Sequence, residues 1–340
     1  MVAAMLLLID GLASAALPKT MRAVRKAGFE GCGPPDFRCV AVDNVTVPAP
    51  GLGQVLIRTA GTSVNPDEIS ILSIPLVHYT LGIDVAGTIA SVGPGVTRFS
   101  VGDRVWSAGI RGGMAEFTTR PALTCGQVPA GIDLVAAATL PTVAMTSFGA
   151  LRSAAAPWNA TSNVTVLITA GTGGTGYMAV QLAKALGAAR VVTAATGPGI
   201  SFARSLGADV VIDYLKGSVF DAVADGSVDV VLSNHKSNTS ALRAMAKLKS
   251  GARGGSVYVT LDGDMAPGSD VPAGVRQVEY DLFHPSEAAR CVLYLDQLAA
   301  MLANGTITAH VQQVYGYKEA VEALRVEAQG RVLTKLSVVP

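Results

Sequence analysis

Two different patterns of apolar residues divide the chain. From Met21 onward, short runs rich in Val, Ile and Thr alternate with Gly and Pro, and no helical period is sustained before about residue 133. Met21–Arg25, Val40–Val45, Gln54–Ala60, Asp84–Val92, Val101–Trp106 and Met114–Arg120 therefore read as strands of a small, strongly bent sheet. The character changes near residue 140. Val164–Ala170 is a continuous apolar run, as expected of a strand buried on both faces. A helix-like stretch, Gly176–Leu186, follows it. Then come Arg190–Thr196, Val210–Asp213, Val228–Ser233 and Ser256–Leu261 as strands, with Ile200–Leu206 and Thr239–Leu248 as helices between them. This alternation predicts a parallel, doubly wound α/β sheet. After Val275–Tyr280 and a helix over Ala288–Ala303, the strand-like runs Val311–Tyr315 and Arg331–Val338 resemble the first part of the chain again. The tail is thus expected to return to the N-terminal sheet.

Composition narrows the function. The 340 residues are 50% hydrophobic and only 15% charged, enough for two cores. A net charge of +1 without a basic run excludes nucleic acid as a partner, and no amphipathic stripe suggests a membrane surface. The apolar run Met5–Ile9 is too short to span a bilayer, so no transmembrane segment is expected. That run and Ala13-Ser14-Ala15 resemble a signal peptide, although Asp10 interrupts the pattern and no positive charge precedes it; residues 1–20 are read as an N-terminal extension. Five of the seven asparagines (Asn44, Asn159, Asn163, Asn238 and Asn304) stand in N-x-S/T sequons. Chance would give roughly one. The compartment stays open between a cytoplasmic or organellar setting and the secretory pathway. Cys32, Cys39, Cys125 and Cys291 lack metal-ligand spacing and read as free thiols, with Cys32 and Cys39 the only two near enough in sequence to pair.

The most informative stretch joins the first buried strand to the next helix. Gly171, Gly173 and Gly176 have the G-x-G-x-x-G spacing, with Thr172, Gly174 and Thr175 between them. A strand must turn sharply there, bring its backbone against a pyrophosphate and start a helix whose N-terminus faces that anion. The strand before, the helix after and the next strand on schedule are the context the motif requires. Twenty residues past Gly176 stands Thr196, where an NAD-specific fold places an acidic side chain. Neither Thr196 nor Gly197-Pro198-Gly199 offers a carboxylate, which favours NADPH over NADH; neither is there a Lys or Arg in this loop.

Several further segments occur in a telling order: Ser63-Val-Asn65-Pro66, Leu81-Gly-Ile-Asp84-Val-Ala-Gly87, Val92-Gly93-Pro-Gly95, Val101-Gly102-Asp103-Arg-Val-Trp106, Leu140-Pro141-Thr-Val-Ala-Met-Thr146 and Ser205-Leu-Gly-Ala-Asp209. With the glycine turn, they make the chain resemble the medium-chain dehydrogenase/reductase superfamily from Met21 to Val339. The resemblance implies a GroES-like β-barrel catalytic domain (residues 21–145 and 284–340), a Rossmann NADPH-binding domain (146–283), an active site between them and a homodimer. Where zinc-dependent relatives carry Gly-His-Glu, this chain has Gly82-Ile83-Asp84, and no ligand Cys lies near Ser63–Pro66. No metal is therefore expected. The zinc-free branch reduces small hydrophobic quinones and α,β-unsaturated carbonyls. The alternatives are a trans-acting enoyl reductase of lipid or polyketide synthesis and a crystallin-like NADPH-binding protein without catalysis.

By the same resemblance Asn65 contacts the nicotinamide and substrate, Thr146 lies near the nicotinamide, and Tyr214 lies against the adenosine phosphate edge. Asn65 also reads as a turn-former before Pro66, and Tyr214 as a strand-end packing residue. His235 is a candidate proton donor or a solvated loop residue. Asp67 and Glu68 read as an exposed acidic turn.

Overall fold

A computed structural model describes residues 16–28, 30–75, 79–234, 241–250 and 255–340. The possible signal sequence, His235 and the sequon asparagine Asn238 lie outside the described residues. The strands, in chain order, are β1 (Thr20–Lys26), β2 (Val40–Thr46), β3 (Gln54–Ser63), β4 (Tyr79–Thr80), β5 (Asp84–Val92), β6 (Arg104–Ala108), β7 (Phe117–Pro121) and β8 (Cys125–Gln127). They continue with β9 (Thr165–Ile168), β10 (Arg190–Ala195), β11 (Val210–Asp213), β12 (Val230–Ser233), β13 (Ser256–Thr260), β14 (Val275–Glu279), β15 (Val311–Gly316) and β16 (Lys335–Val339). The helices are α1 (Pro66–Ser73), α2 (Leu134–Ala137), α3 (Pro141–Ser153), α4 (Gly174–Ala185), α5 (Pro198–Ser205), α6 (Val219–Ala222), α7 (Ala241–Ala246), α8 (Pro285–Ala288), α9 (Cys291–Ala303) and α10 (Ala320–Ala328).

Among the described residues these strands form three sheets. One is parallel throughout, in the order β11-β10-β9-β12-β13-β14. Numbered from its own first strand this is the doubly wound order 3-2-1-4-5-6, whose chain direction switches between β9 and β12. Its central strands are apolar and fully covered: Val166, Leu167, Ile168, Val231 and Leu232 have no exposed surface. Helices α3, α4 and α9 pack together on one side, where Phe148 meets Tyr294 edge-on at 5.2 Å between ring centroids.

A mixed sheet, antiparallel except for the β15–β16 pair, runs β15-β16-β3-β5-β6-β8, with β7 paired to β3, and a small third sheet is β2-β1-β4. The tail does return: Ser337 and Val338 of β16 pair with Ser63 and Thr62 of β3. The parallel α/β sheet is thus tied by the chain to a mixed β sheet, as the hydrophobic pattern predicts.

Three expectations need correction. A helix, α1, does form before residue 133; Pro66 at its first turn and Asn65 as N-cap start it, in a segment too short for a sustained period. The helix expected over Ala288–Ala303 is broken into α8 and α9. Cys32 and Cys39 are not free thiols but a disulfide that closes the loop between β1 and β2, while Cys125 and Cys291 are free.

Candidate functional site

The glycine turn leaves the end of β9 and enters α4, the place the motif requires. Its glycines are needed for different reasons. A Cβ at Gly171 would overlap the Thr193 hydroxyl, and one at Gly176 would overlap the Ala170 carbonyl oxygen. Gly174 is tight as well, with Lys335 Cδ and Val143 Cγ1 each at 3.0 Å. Gly173 differs. Nothing lies within 4 Å of its missing Cβ, and its φ of −71° suits any residue. The protein's own packing does not demand a glycine there, so the space over Gly173 is free for a ligand. A phosphate fits that cradle: backbone N–H groups at the start of α4 point to it, and no acidic residue stands in the first turn.

The turn is held from three sides. Asn234, just past β12, accepts from the Thr169 hydroxyl and from Ala170 N, both at 3.0 Å, and donates to Ala170 O at 3.0 Å. Ser147 of α3 donates to Thr175 O at 2.8 Å. Thr334 N donates to Thr172 O at 2.7 Å.

A groove of about 570 Å³ opens beside the turn. Thr172, Gly173, Tyr214, Phe220, Arg243 and Arg331 are among its walls. Tyr214 is exposed there rather than packed at a strand end. Thr196 does not act alone. Its hydroxyl donates to Asp213 Oδ1 at 2.8 Å, and this bond, with Leu215 N, holds the Asp213 carboxyl below the usual carboxylate range. The loop itself has no carboxylate, as the sequence shows, but parallel pairing of Ala195 with Asp213 delivers one from β11. Two cations come from distant segments, however. Arg243 is bound to Asp221 at 2.6 Å, and Arg331 is exposed at the groove wall.

Beneath the turn lies a buried polar cluster. Asn65 is 2% exposed and both ends of its amide are engaged. Nδ2 donates to Asp84 Oδ2 at 3.0 Å and to Ser63 Oγ at 3.1 Å, and Oδ1 accepts from Lys335 Nζ at 2.7 Å. Lys335 also donates to Val64 O at 2.5 Å. Asp84 Oδ1 accepts from Thr142 N at 2.8 Å and from its hydroxyl at 2.6 Å, while Ser63 Oγ donates to Oδ2 at 2.5 Å. Asn65 is thus more than a turn-former, yet it is not a wall of the groove. Thr146, on α3 beside Ser147, is half-buried.

Glu68 was expected on an exposed turn and is instead 4% exposed. Its carboxylate accepts from Ile83 N at 2.9 Å and from Asn65 N at 3.4 Å. Burial pushes the Glu68 carboxyl up from 4.5 to about 8, against the pull of those two N–H groups. Lys335, Asp84, Glu68, Asn234 and Arg331 are the neighbours that sequence reasoning missed. Only the N-cap position of Asn65, with Glu68 three residues later, carried a local signal, that of a capping box.

A second cavity, of about 730 Å³, lies elsewhere, between Gly149, Tyr280 and Arg290. Its buried carboxylate, Glu287, already accepts from the Tyr280 and Tyr294 hydroxyls at 3.0 and 3.2 Å and from Arg290 at 2.5 Å. Glu287 is thus already engaged, and the groove at the glycine turn, which has the dinucleotide motif in its wall, is the candidate site.

Comparison with known proteins agrees with this geometry. Residues 51–130 match the alcohol dehydrogenase GroES-like domain, and residues 206–338 match the family described as zinc-binding dehydrogenase. The chain is 35% identical to rat quinone oxidoreductase over 224 residues, 63% of this chain and 66% of the rat protein. It is 30% identical to mouse quinone oxidoreductase over 316 residues, covering 89% and 92% of the two chains. A mycobacterial protein solved in complex with NADPH superposes with a TM-score of 0.79 at 25% identity, over 94% of this chain and all of that one. The chain belongs to the medium-chain dehydrogenase/reductase family, in its quinone oxidoreductase branch. The GroES-like and Rossmann-type architecture expected from the sequence is the one observed.

Two predictions follow from the site itself. Gly176→Ala should destabilise the fold, whereas Gly173→Ala should leave the melting temperature unchanged and weaken dinucleotide binding; equal effects of the two on stability would contradict the cradle. Because Glu68 is raised above its unfolded value, its contribution is intact below about 4.5 and is lost as pH rises toward about 8. Stability measured by urea unfolding should fall across that window, and Glu68→Gln should flatten the slope.

Proposed function

We propose that the protein is a zinc-independent, NADPH-dependent reductase of quinones or α,β-unsaturated carbonyls, acting as a homodimer. Residues 21–145 and 284–340 form the catalytic part and 146–283 the nucleotide part. The observation that carries the reading is the open cradle at Gly173 directly above the Lys335–Asn65–Asp84 cluster.

NADPH, when bound, supplies a hydride to the acceptor. Everything else is done by the chain's own groups. Gly171 to Gly176 and the N-terminus of α4 hold the pyrophosphate, and Tyr214 stacks along the adenosine edge. Thr172 and Thr175 shape the loop through their carbonyls, which accept from Thr334 and Ser147. Thr196, tied to Asp213, faces the ribose. The cation suited to a 2′-phosphate is Arg331, since Arg243 is partly neutralised by Asp221. Thr146 lies toward the nicotinamide end. Asn65 is a positioning residue: Lys335 fixes its carbonyl end, so its NH₂ must point to Asp84 and Ser63. A substrate oxygen that gained negative charge near this cluster would be stabilised by the Lys335 ammonium in a water-poor interior.

Zinc does not fit this place. Asp84 has both oxygens taken by N–H and O–H donors, Glu68 accepts from two backbone N–H groups, and among the described residues no group of His, Cys, Asp and Glu is placed to hold a metal. A quinone or enone accepts hydride without a Lewis acid. The outer edge of β14 is unpaired among the described residues and supports the homodimer.

Turnover should be seen as loss of NADPH absorbance with 1,4-benzoquinone, 9,10-phenanthrenequinone or a 2-alkenal, and should survive EDTA. Arg331→Ala should raise the KM for NADPH about tenfold, the loss of one exposed charge-assisted contact, and leave that for NADH unchanged. A shared loss for both cofactors, or no turnover of any acceptor, would overturn the assignment.

A further inference from the structure

The sequons remain unexplained by dinucleotide chemistry. Four of the five asparagines lie among the described residues, and all four are exposed: Asn44 on β2, Asn159 and Asn163 before β9, and Asn304 at the C-terminal cap of α9. Each is followed two residues later by Thr. Asn159 and Asn304 share one local geometry. Asn159 Oδ1 accepts from Thr161 N and Oγ1, both at 3.1 Å. Asn304 Oδ1 accepts from Thr306 N at 3.0 Å and Oγ1 at 2.6 Å. In both, the amide oxygen is occupied by the sequon's own threonine, and Nδ2 makes no hydrogen bond to a described residue. That nitrogen is the atom an N-glycan occupies.

Position matters as much as exposure. A glycan is large and hydrophilic, so it persists only where folding does not bury it. Asn159 stands at the end of the parallel sheet opposite the glycine turn, since it precedes β9 and the turn follows it. Asn304 lies beyond α9, and neither is a wall of the nucleotide groove. The disulfide Cys32–Cys39 is an independent observation pointing the same way. Its loop is at the surface, with Cys32 half-buried, and structural disulfides persist in oxidising compartments.

We infer that this protein is N-glycosylated at Asn159 and Asn304 and matures in an oxidising secretory compartment. The donor is a polyprenyl-pyrophosphate-linked oligosaccharide. Asn Nδ2 forms the bond to the sugar's C1, the C1–O bond to phosphate breaks, the polyprenyl pyrophosphate leaves, and the amide proton passes to a base of the transferase. No electrons change hands. Asn44, inside a strand, and Asn163, four residues from Asn159 and in a left-handed conformation (φ 48°), are the less suitable sites.

The test is peptide mapping of the full-length protein purified from its own cells. Release by peptide N-glycosidase in heavy-oxygen water should convert both Asn159 and Asn304 to labelled Asp, and the unreduced digest should contain Cys32 and Cys39 in linked form. Thr161→Ala and Thr306→Ala, both at exposed positions, should each remove one glycan-sized step in gel mobility and leave NADPH oxidation unchanged. Recovery of both asparagines only in unmodified form would overturn the inference, whether or not the protein proves to be a quinone reductase.

Discussion

The arrangement depends on how one short segment, Thr334-Lys335, is seated. Thr334 N donates to Thr172 O in the glycine turn, and the next residue sends its ammonium to Val64 O and Asn65 Oδ1. This segment thereby ties the glycine turn to β3, alongside the Thr142–Asp84 bonds and the apolar core that Ala86 and Trp106 share with the parallel sheet. The energetics make that tie hard to relax. Each buried acceptor left without its donor costs about 1–3 kcal/mol, and a buried ion stripped of its partner costs about 3–5 kcal/mol. Lys335 and Asp84 are 3% and 0% exposed, so neither can recover its loss from water.

From this seat the rest of the site takes its form. Asn65 has no freedom to flip, because one end of its amide faces an ammonium and the other a carboxylate. The glycine turn is drawn down by Thr334, braced by Ser147 and stitched to β12 by Asn234, leaving only the face over Gly173 open. Glu68 completes the underside. Held up toward 8 by burial, it can remain neutral at ordinary pH, so the cluster is not overloaded with negative charge. Pre-paid order of this kind is what a site needs to stabilise charge as it develops.

Much of the architecture was legible in the sequence because it rests on local pattern. The buried run at β9, the glycine spacing and the recurring strands declare a doubly wound sheet. Helix α3 escaped because it is buried on nearly every side, from Pro141 to Leu151, and so shows no amphipathic period. The site was legible only where a motif is contiguous. Lys335 joins Asn65 across 270 residues, and Asp213 reaches Thr196 through strand pairing, neither of which a linear reading shows. Glu68 looked solvent-exposed because a carboxylate beside Asp67 reads as polar. Its burial is decided by Ile83, whose N–H it accepts from another loop.

Lys335 fixes the orientation of the Asn65 amide, and the proposed hydride transfer depends on that orientation. Single-turnover oxidation of NADPH by a quinone, compared in wild type and Lys335→Met with Lys335→Arg as the conservative control, tests it most directly. Lys335→Met should slow hydride transfer by about tenfold to a hundredfold, the worth of one charge-assisted contact, with partial recovery in Lys335→Arg and little change in NADPH affinity. Unchanged hydride transfer in a folded Lys335→Met protein would contradict that dependence.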